Sequence, residues 1–149
     1  MQITQTADYA VRTVVYLALN GSGGPVAASV IAKEMTIPGD YISKVVQALS
    51  RAGLVESVAG RNGGAQLARD PAKLSMLEIV EAVDGPVTLN RCVIRPGACP
   101  RDTYCVVHDF WKSAQKGLVT VLSTTTIADI CRPKEGDGSP RARQEMPGA

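Results

Sequence analysis

The fold of this chain is decided by one stretch, Gly53-Leu54-Val55-Glu56-Ser57-Val58-Ala59-Gly60-Arg61-Asn62-Gly63-Gly64-Ala65-Gln66-Leu67-Ala68. Its apolar arms, 53–58 and 65–68, indicate two short strands, and a glycine-rich segment lies between them. The Asn62-Gly63 pair is a strong hairpin signal, because both residues tolerate the positive φ that a tight hairpin turn needs. The sequence therefore predicts a β-hairpin over 54–68.

Two short helices are predicted directly before this hairpin. Apolar residues recur at helical spacing over 28–35 and 40–51, and four residues, Thr36-Ile37-Pro38-Gly39, join the two segments. Such a pair is typical of a helix-turn-helix, and a hairpin that follows it is a wing. A further helix over 6–19, with Thr6 as its N-cap, precedes the pair. We therefore expect a winged helix-turn-helix region over 1–70, with the helix-turn-helix at about 28–51.

The rest of the chain is predicted to be helical around one irregular loop. Ser75 and Glu78 form a capping box that starts a helix over 75–83. Residues 87–104 show no periodicity, and a long amphipathic helix follows over 106–123, with a short one over 126–131. We expect 71–131 to form a cluster-binding loop and a dimerisation helix, because the long helix has one apolar stripe and DNA readers of this class gain affinity from two half-sites. The alternative is that this helix folds back on its own winged domain. The composition of 132–149 predicts a disordered tail.

Composition limits the class of protein. The chain has 149 residues, 45% of them hydrophobic, which suits a single small domain with a real core and a mainly α fold with one small hairpin. No apolar run approaches the ~20 residues of a membrane span, and no signal peptide is evident, so we expect a cytoplasmic protein without a membrane partner. The net charge of +2 permits a nucleic-acid partner without demanding one.

The aperiodic loop holds the candidate metal ligands of the chain. Its pattern is Cys92-x6-Cys99-x5-Cys105-x2-His108, which includes the only histidine. These gaps are too wide for a zinc ribbon, whose cysteines come as close pairs. They suit a loop around an iron–sulfur cluster bound by thiolates and an imidazole, while zinc and metal-free redox thiols stay open. Cys131 lies far along the chain, and we interpret it as a small buried residue or a free thiol.

The motifs together resemble the Rrf-two family of bacterial winged-helix regulators. The resemblance runs from residue 1 to about 131 and is carried by the segments Asp8-Tyr9-Ala10-Val11, Gly39-Asp40-Tyr41-Ile42, Gly60-Arg61-Asn62-Gly63-Gly64 and Glu81-Ala82-Val83-Asp84-Gly85. Within the family, the cysteine pattern with its histidine is most similar to the IscR type, which regulates iron–sulfur cluster supply. The gap between the first two cysteines holds six residues, one more than is usual there, and Ser43 stands where that type carries an acidic residue.

This resemblance implies a metal site and its ligands. Cys92, Cys99, Cys105 and His108 correspond to a three-cysteine, one-histidine ligand set, and we favour a [2Fe–2S] cluster. Nitric-oxide sensors of the NsrR type instead complete a [4Fe–4S] cluster with an aspartate of the other subunit, at the position of Asp8. Metal-free or zinc-binding regulators of the same fold are a further alternative.

The function that follows is a homodimeric transcription factor that binds double-stranded operator DNA and senses cluster, iron or redox status. An electron carrier or a redox enzyme would leave the helix-turn-helix and the wing unexplained, so we expect a regulator and assign no catalytic residue. On the outward face of the third helix and on the wing, the residues expected to contact DNA are Tyr41, Ser43, Lys44, Gln47, Arg51, Arg61, Asn62 and Gly63.

Overall fold

The structure is a computed structural model, which describes residues 3–95, 97–101 and 103–133. It is mainly helical with one two-stranded antiparallel hairpin, which confirms the predicted fold class. The tail prediction falls almost entirely on 134–149, outside the described residues. In chain order the elements are α1 (Gln5–Asn20), α2 (Ala28–Glu34), α3 (Gly39–Arg51), β1 (Val55–Val58), β2 (Gly64–Leu67), α4 (Met76–Asp84), α5 (His108–Thr124) and α6 (Ile127–Cys131).

Helix α1 begins earlier than its sequence predicts. Thr4, not Thr6, is the N-cap, and its hydroxyl accepts a hydrogen bond from the backbone N–H of Ala7. The carboxylate of Asp84, at the end of α4, accepts hydrogen bonds from both the backbone N–H and the hydroxyl of Thr4. Both threonines suit an N-cap locally, and this contact from a distant part of the chain favours Thr4.

The helix-turn-helix forms as predicted, and its turn closes α2 with a Schellman motif. The backbone N–H of Ile37 donates to Ala32 (2.8 Å), and that of Thr36 donates to Lys33 (3.3 Å). Thr36 lies between the last turn and the buried Ile37 with a positive φ of 54°. Helix α3 then buries one stripe against α1 and α2, formed by Ile42, Val45, Val46 and Leu49.

The hairpin is confirmed, but its turn differs from the predicted one. Val58 pairs with Gly64, so five residues connect the strands. The N–H of Gly63 donates to the carbonyl of Gly60 (3.0 Å), which places Arg61 and Asn62 at the turn centre, and the positive φ falls on Gly60 (106°) instead of Asn62 or Gly63. In this longer loop the left-handed backbone position therefore falls on Gly60 and not on the Asn-Gly pair. Gly63 is still required, because a Cβ there would overlap the carbonyl oxygen of Val58.

The C-terminal helices pack back on the winged region. The predicted capping box of Ser75 and Glu78 is present at the start of α4. Helix α4 contacts α1, α3 and α5, and Ile127 of α6 is fully buried in the main core beside Leu74. Within the described part of the chain, every helix is too short or too polar to cross a bilayer.

Candidate nucleic-acid interface and cysteine loop

The polar face of α3 is exposed, opposite the stripe that is buried in the core. Helical periodicity alone produces this separation, because residues three and four positions apart share a face. Among the ion pairs of the described residues, none involves Lys44, Arg51 or Arg61, so these charges are available to phosphate groups. The predicted contact residues Tyr41, Ser43, Lys44, Gln47 and Arg51 are all exposed on α3, as is the acidic Asp40 in its first turn.

A stack of aromatic and cationic side chains supports this face from α1. The ring of Tyr9, which is buried, packs edge-on against the ring of Tyr41, with centroids 5.5 Å apart. The guanidinium of Arg12 lies 5.8 Å from the Tyr9 ring, and the ammonium of Lys44 lies 5.9 Å from the Tyr41 ring. The supporting roles of Tyr9 and Arg12 are not predictable from the sequence, because no local pattern shows that α1 meets α3 at this point.

The wing presents Arg61 and Asn62 at its tip, and both side chains are exposed. Gly63 is half-buried beneath them, and glycine is needed there because a Cβ would overlap the carbonyl oxygen of Val58. A backbone bridge in both directions between Val26 and Ala65 (2.8 Å each) ties the wing to the segment before α2. The hairpin is therefore anchored at its base while its cationic tip faces solvent.

The cysteine loop starts between α4 and α5, where side chains hold its backbone. Val87 is buried against Val80 of α4 and Leu118 of α5. Its N–H donates to a carboxylate oxygen of Glu81 (3.1 Å), and its carbonyl accepts from the amide of Gln115 (2.6 Å). The same Gln115 amide accepts from the N–H of Leu89 (2.8 Å), so α4 and α5 together fix residues 87–89.

The candidate ligands lie on the loop and on the first residue of α5. Cys92, Cys99 and Cys105 are half-buried, and each thiol is free. Helix α5 begins at His108 instead of the predicted 106, so Cys105 lies in the preceding turn and its carbonyl accepts from the His108 N–H (3.1 Å). The Nδ1 atom of His108 is buried and has no hydrogen-bond partner among the described residues.

The structure does not bring the four candidate ligands together. Within 3–95, 97–101 and 103–133, no three His, Cys, Asp or Glu side chains lie close enough to hold one metal ion. Asp8, the alternative ligand, forms an ion pair with Arg12 (2.6 Å) on the half-exposed surface of α1. Cys131 is half-buried and packs against the main core, and this burial raises the pKa of its thiol.

A helix-turn-helix with an anchored wing and an unpaired cationic face defines a winged-helix DNA-binding protein. A family model described as "Rrf2: Iron-dependent Transcriptional regulator" matches residues 3–133. The chain belongs to this Rrf2 (Rrf-two) family, which confirms the resemblance seen in its motifs, and it is a transcriptional regulator.

Three relatives show how far the similarity extends. The regulator IscR of Escherichia coli is 30% identical over 135 residues, which cover 91% of this chain and 83% of IscR. The solved structure of T. potens IscR is 26% identical, with a TM-score of 0.70 over 87% of this chain and 85% of that one. CymR, the global cysteine regulator of B. subtilis, has a TM-score of 0.73 at 24% identity, over 88% of this chain and 96% of CymR, and shares the fold.

Proposed function

We propose that this chain is a homodimeric regulator whose operator binding responds to an iron–sulfur cluster held by Cys92, Cys99, Cys105 and His108. The observation that carries the proposal is the buried Nδ1 atom of His108, which has no partner among the described residues and belongs to a residue three positions after Cys105. An unsatisfied buried nitrogen costs about 1–3 kcal/mol. A metal bond at that atom would remove the cost, and the three free thiols of the loop are the soft ligands that iron–sulfur clusters take.

The donor set fits such a group by its chemistry. Three free thiols and one imidazole lie within 17 positions, on a loop whose start is fixed and whose described residues from 94 to 107 form no helix or strand. A bound cluster would supply a centre whose charge and integrity change with redox state and iron supply. The family description, iron-dependent regulation, supports this proposal.

The fourth ligand distinguishes two versions of the proposal. Asp8 already has a cationic partner in Arg12, whereas His108 Nδ1 has none in the described part of the chain. This contrast favours His108 and a [2Fe–2S] cluster over Asp8 and a [4Fe–4S] cluster. A ligating imidazole must be deprotonated, so His108 would also make the site sensitive to protons.

DNA binding is assigned to the α3 face and the wing. We infer that Tyr41, Ser43 and Gln47 contact base edges and that Lys44 and Arg51 contact base edges or phosphates. At the wing, Arg61, Asn62 and the backbone of Gly63 would meet a phosphate or a narrow minor groove. An operator partner places the protein in the cytoplasm.

The homodimer is inferred from α5. Every residue of this 17-residue helix is exposed or half-buried, although Phe110 and Val121 are large and apolar (64% and 62% exposed). A helix of this kind in a small domain is typical of a subunit interface. We therefore assign dimerisation, together with the cluster loop, to residues 71–131, and DNA binding to residues 1–70.

Anaerobic purification tests the cluster directly. We expect a coloured protein with stoichiometric iron and sulfide, and loss of both in Cys92→Ser, Cys99→Ser or Cys105→Ser. Cys131→Ser is the matched control and should keep wild-type iron content, because its thiol packs against the core. A colourless protein with stoichiometric zinc, or wild-type iron in Cys99→Ser, would contradict the proposal. The zinc result would favour a zinc-binding regulator of the same fold.

An anaerobic redox titration separates the two fourth ligands. His108→Cys should keep a cluster with a lower reduction potential, because a thiolate adds negative charge that neutral imidazole lacks. Asp8→Ala should leave the potential nearly unchanged. An unchanged potential in His108→Cys, together with an oxygen-labile cluster in Asp8→Ala, would instead assign the fourth bond to Asp8.

Sedimentation equilibrium tests the dimer. A charge at Phe110 or Val121, in Phe110→Glu or Val121→Glu, should shift the protein to monomer. Leu19→Glu is a matched control, because Leu19 is similarly exposed (59%) but lies at the end of α1. Dimers that persist in both α5 variants would place the interface elsewhere.

A further inference from the structure

The segment that leads into the cysteine loop is held by side chains instead of a backbone ladder. Three polar backbone groups, the N–H and C=O of Val87 and the N–H of Leu89, are bonded to the side chains of Glu81 and Gln115. Gln115 supplies two of these three bonds, one as a donor and one as an acceptor. A single amide on α5 therefore determines where the loop leaves the helical core.

The position of Gln115 relates this fixed point to the candidate ligands. Gln115 and His108 are seven residues apart, so they lie on one face of α5 about 10 Å from each other along the axis. Cys92 follows Leu89 by three residues, so it lies at most about 11 Å from the fixed backbone. The 3₁₀ turn over Arg91–Val93, which contains Cys92, packs against α5. Cys92 is thus three residues from the backbone that Gln115 holds, and His108 is two helical turns from Gln115 on the same face of α5.

From this geometry we propose that Gln115 is a positioning residue for the cluster. Its amide fixes 87–89 on α5 and so determines where Cys92 lies relative to His108. The role rests on the proposed cluster function, since Gln115 would act through the loop without touching the cluster. Without the amide, the Leu89 N–H loses the one acceptor that it has among the described residues, while the Val87 N–H keeps Glu81.

Two variants of Gln115 test this role. Gln115→Leu has a similar side-chain volume and removes the bonds to the Val87 carbonyl and from the Leu89 N–H. Gln115→Glu keeps only the acceptor for the Leu89 N–H. Gln66→Leu is the control, because Gln66 bonds an exposed glutamate on the wing, far along the chain from the loop. Amide hydrogen exchange by NMR on iron-free protein should show Leu89 exchanging about fivefold faster in Gln115→Leu, with Val87 less affected. Gln115→Glu should retain the protection of Leu89, and Gln66→Leu should match wild type at both amides.

Loss of the cluster in air is the second measurement. It should be several-fold faster in Gln115→Leu than in wild type and intermediate in Gln115→Glu. The proposal is overturned if Leu89 exchange is unchanged in Gln115→Leu, if exchange rises equally across α3 and the loop, or if cluster loss keeps its wild-type rate. Failure of the proposed function is distinguishable, because wild-type protein would then take up no iron and sulfide, and the positioning role would fail with it.

Discussion

Thr36 is strained in the turn of the helix-turn-helix, and relieving that strain should stabilise the protein. It occupies the left-handed position of a Schellman motif with φ of 54°, where glycine is the usual residue. A left-handed backbone costs a residue with a Cβ about 1–2 kcal/mol, and a β-branched side chain adds to the crowding. Thr36 is exposed and its hydroxyl makes no hydrogen bond within the described residues, so little is lost on replacement.

Two substitutions convert this strain into a measurable gain. Thr36→Gly removes the backbone strain, but glycine also raises the conformational entropy of the unfolded chain, which lowers stability by about 0.5–1 kcal/mol. The free energy of unfolding should therefore rise by about 0.5–1 kcal/mol in total. Thr36→Asn, which tolerates the left-handed region and is less flexible when unfolded, should gain about 1 kcal/mol. Urea unfolding of iron-free protein measures both, as a higher midpoint at unchanged slope.

Thr36→Val is the matched control for this experiment. It keeps the β-branch and the strain, so its free energy of unfolding should stay within about 0.5 kcal/mol of wild type. If Thr36→Gly and Thr36→Asn both unfold at lower urea than wild type, the left-handed conformation is not a source of strain and the argument fails.

Three further predictions concern DNA binding, acid stability and thiol reactivity. Gln47→Ala should reduce discrimination at particular base positions by about 1–3 kcal/mol, whereas Arg61→Ala should weaken binding to every sequence and lower the salt slope by about one unit. Binding to a randomised operator library at two salt concentrations separates the two effects. If Arg61→Ala keeps wild-type affinity and salt slope, the wing is not part of the DNA interface. Hydrogen bonds from the Ser75 backbone and then from Arg69 lower the pKa of Glu78, so the stability this carboxylate adds is present above its ordinary value of 4.5 and is lost as pH falls through its folded pKa. Acid unfolding should therefore show a shallower loss below pH 4.5 in Glu78→Gln than in wild type. Cys131 should react with iodoacetamide more slowly than an unstructured thiol at pH 8, because burial raises its pKa, and equal rates would contradict its packing against the core.

Local patterns in the sequence determined the regular elements and the exposed polar face of α3, which we propose as the DNA-contacting face. Helical spacing over α3 places Val45 and Leu49 inward and Lys44 and Gln47 outward, whatever the helix packs against. The capping box of Ser75 and Glu78 needs only three residues of separation, so it too was predictable. The cysteine spacing likewise indicated ligand types, because residue chemistry does not depend on the path of the chain.

Tertiary structure alone decided the features that join distant segments. Asp84 selects Thr4 as the N-cap across 80 positions. Tyr9 meets Tyr41 across the interface of α1 and α3. Gln115 holds Val87 from 28 positions further along the chain. No periodicity encodes such pairs, since each depends on where the packed helices bring two backbones together. The loop that carries the cysteines has no period of its own, so its start is determined by side chains of α4 and α5, which only the folded core places beside it.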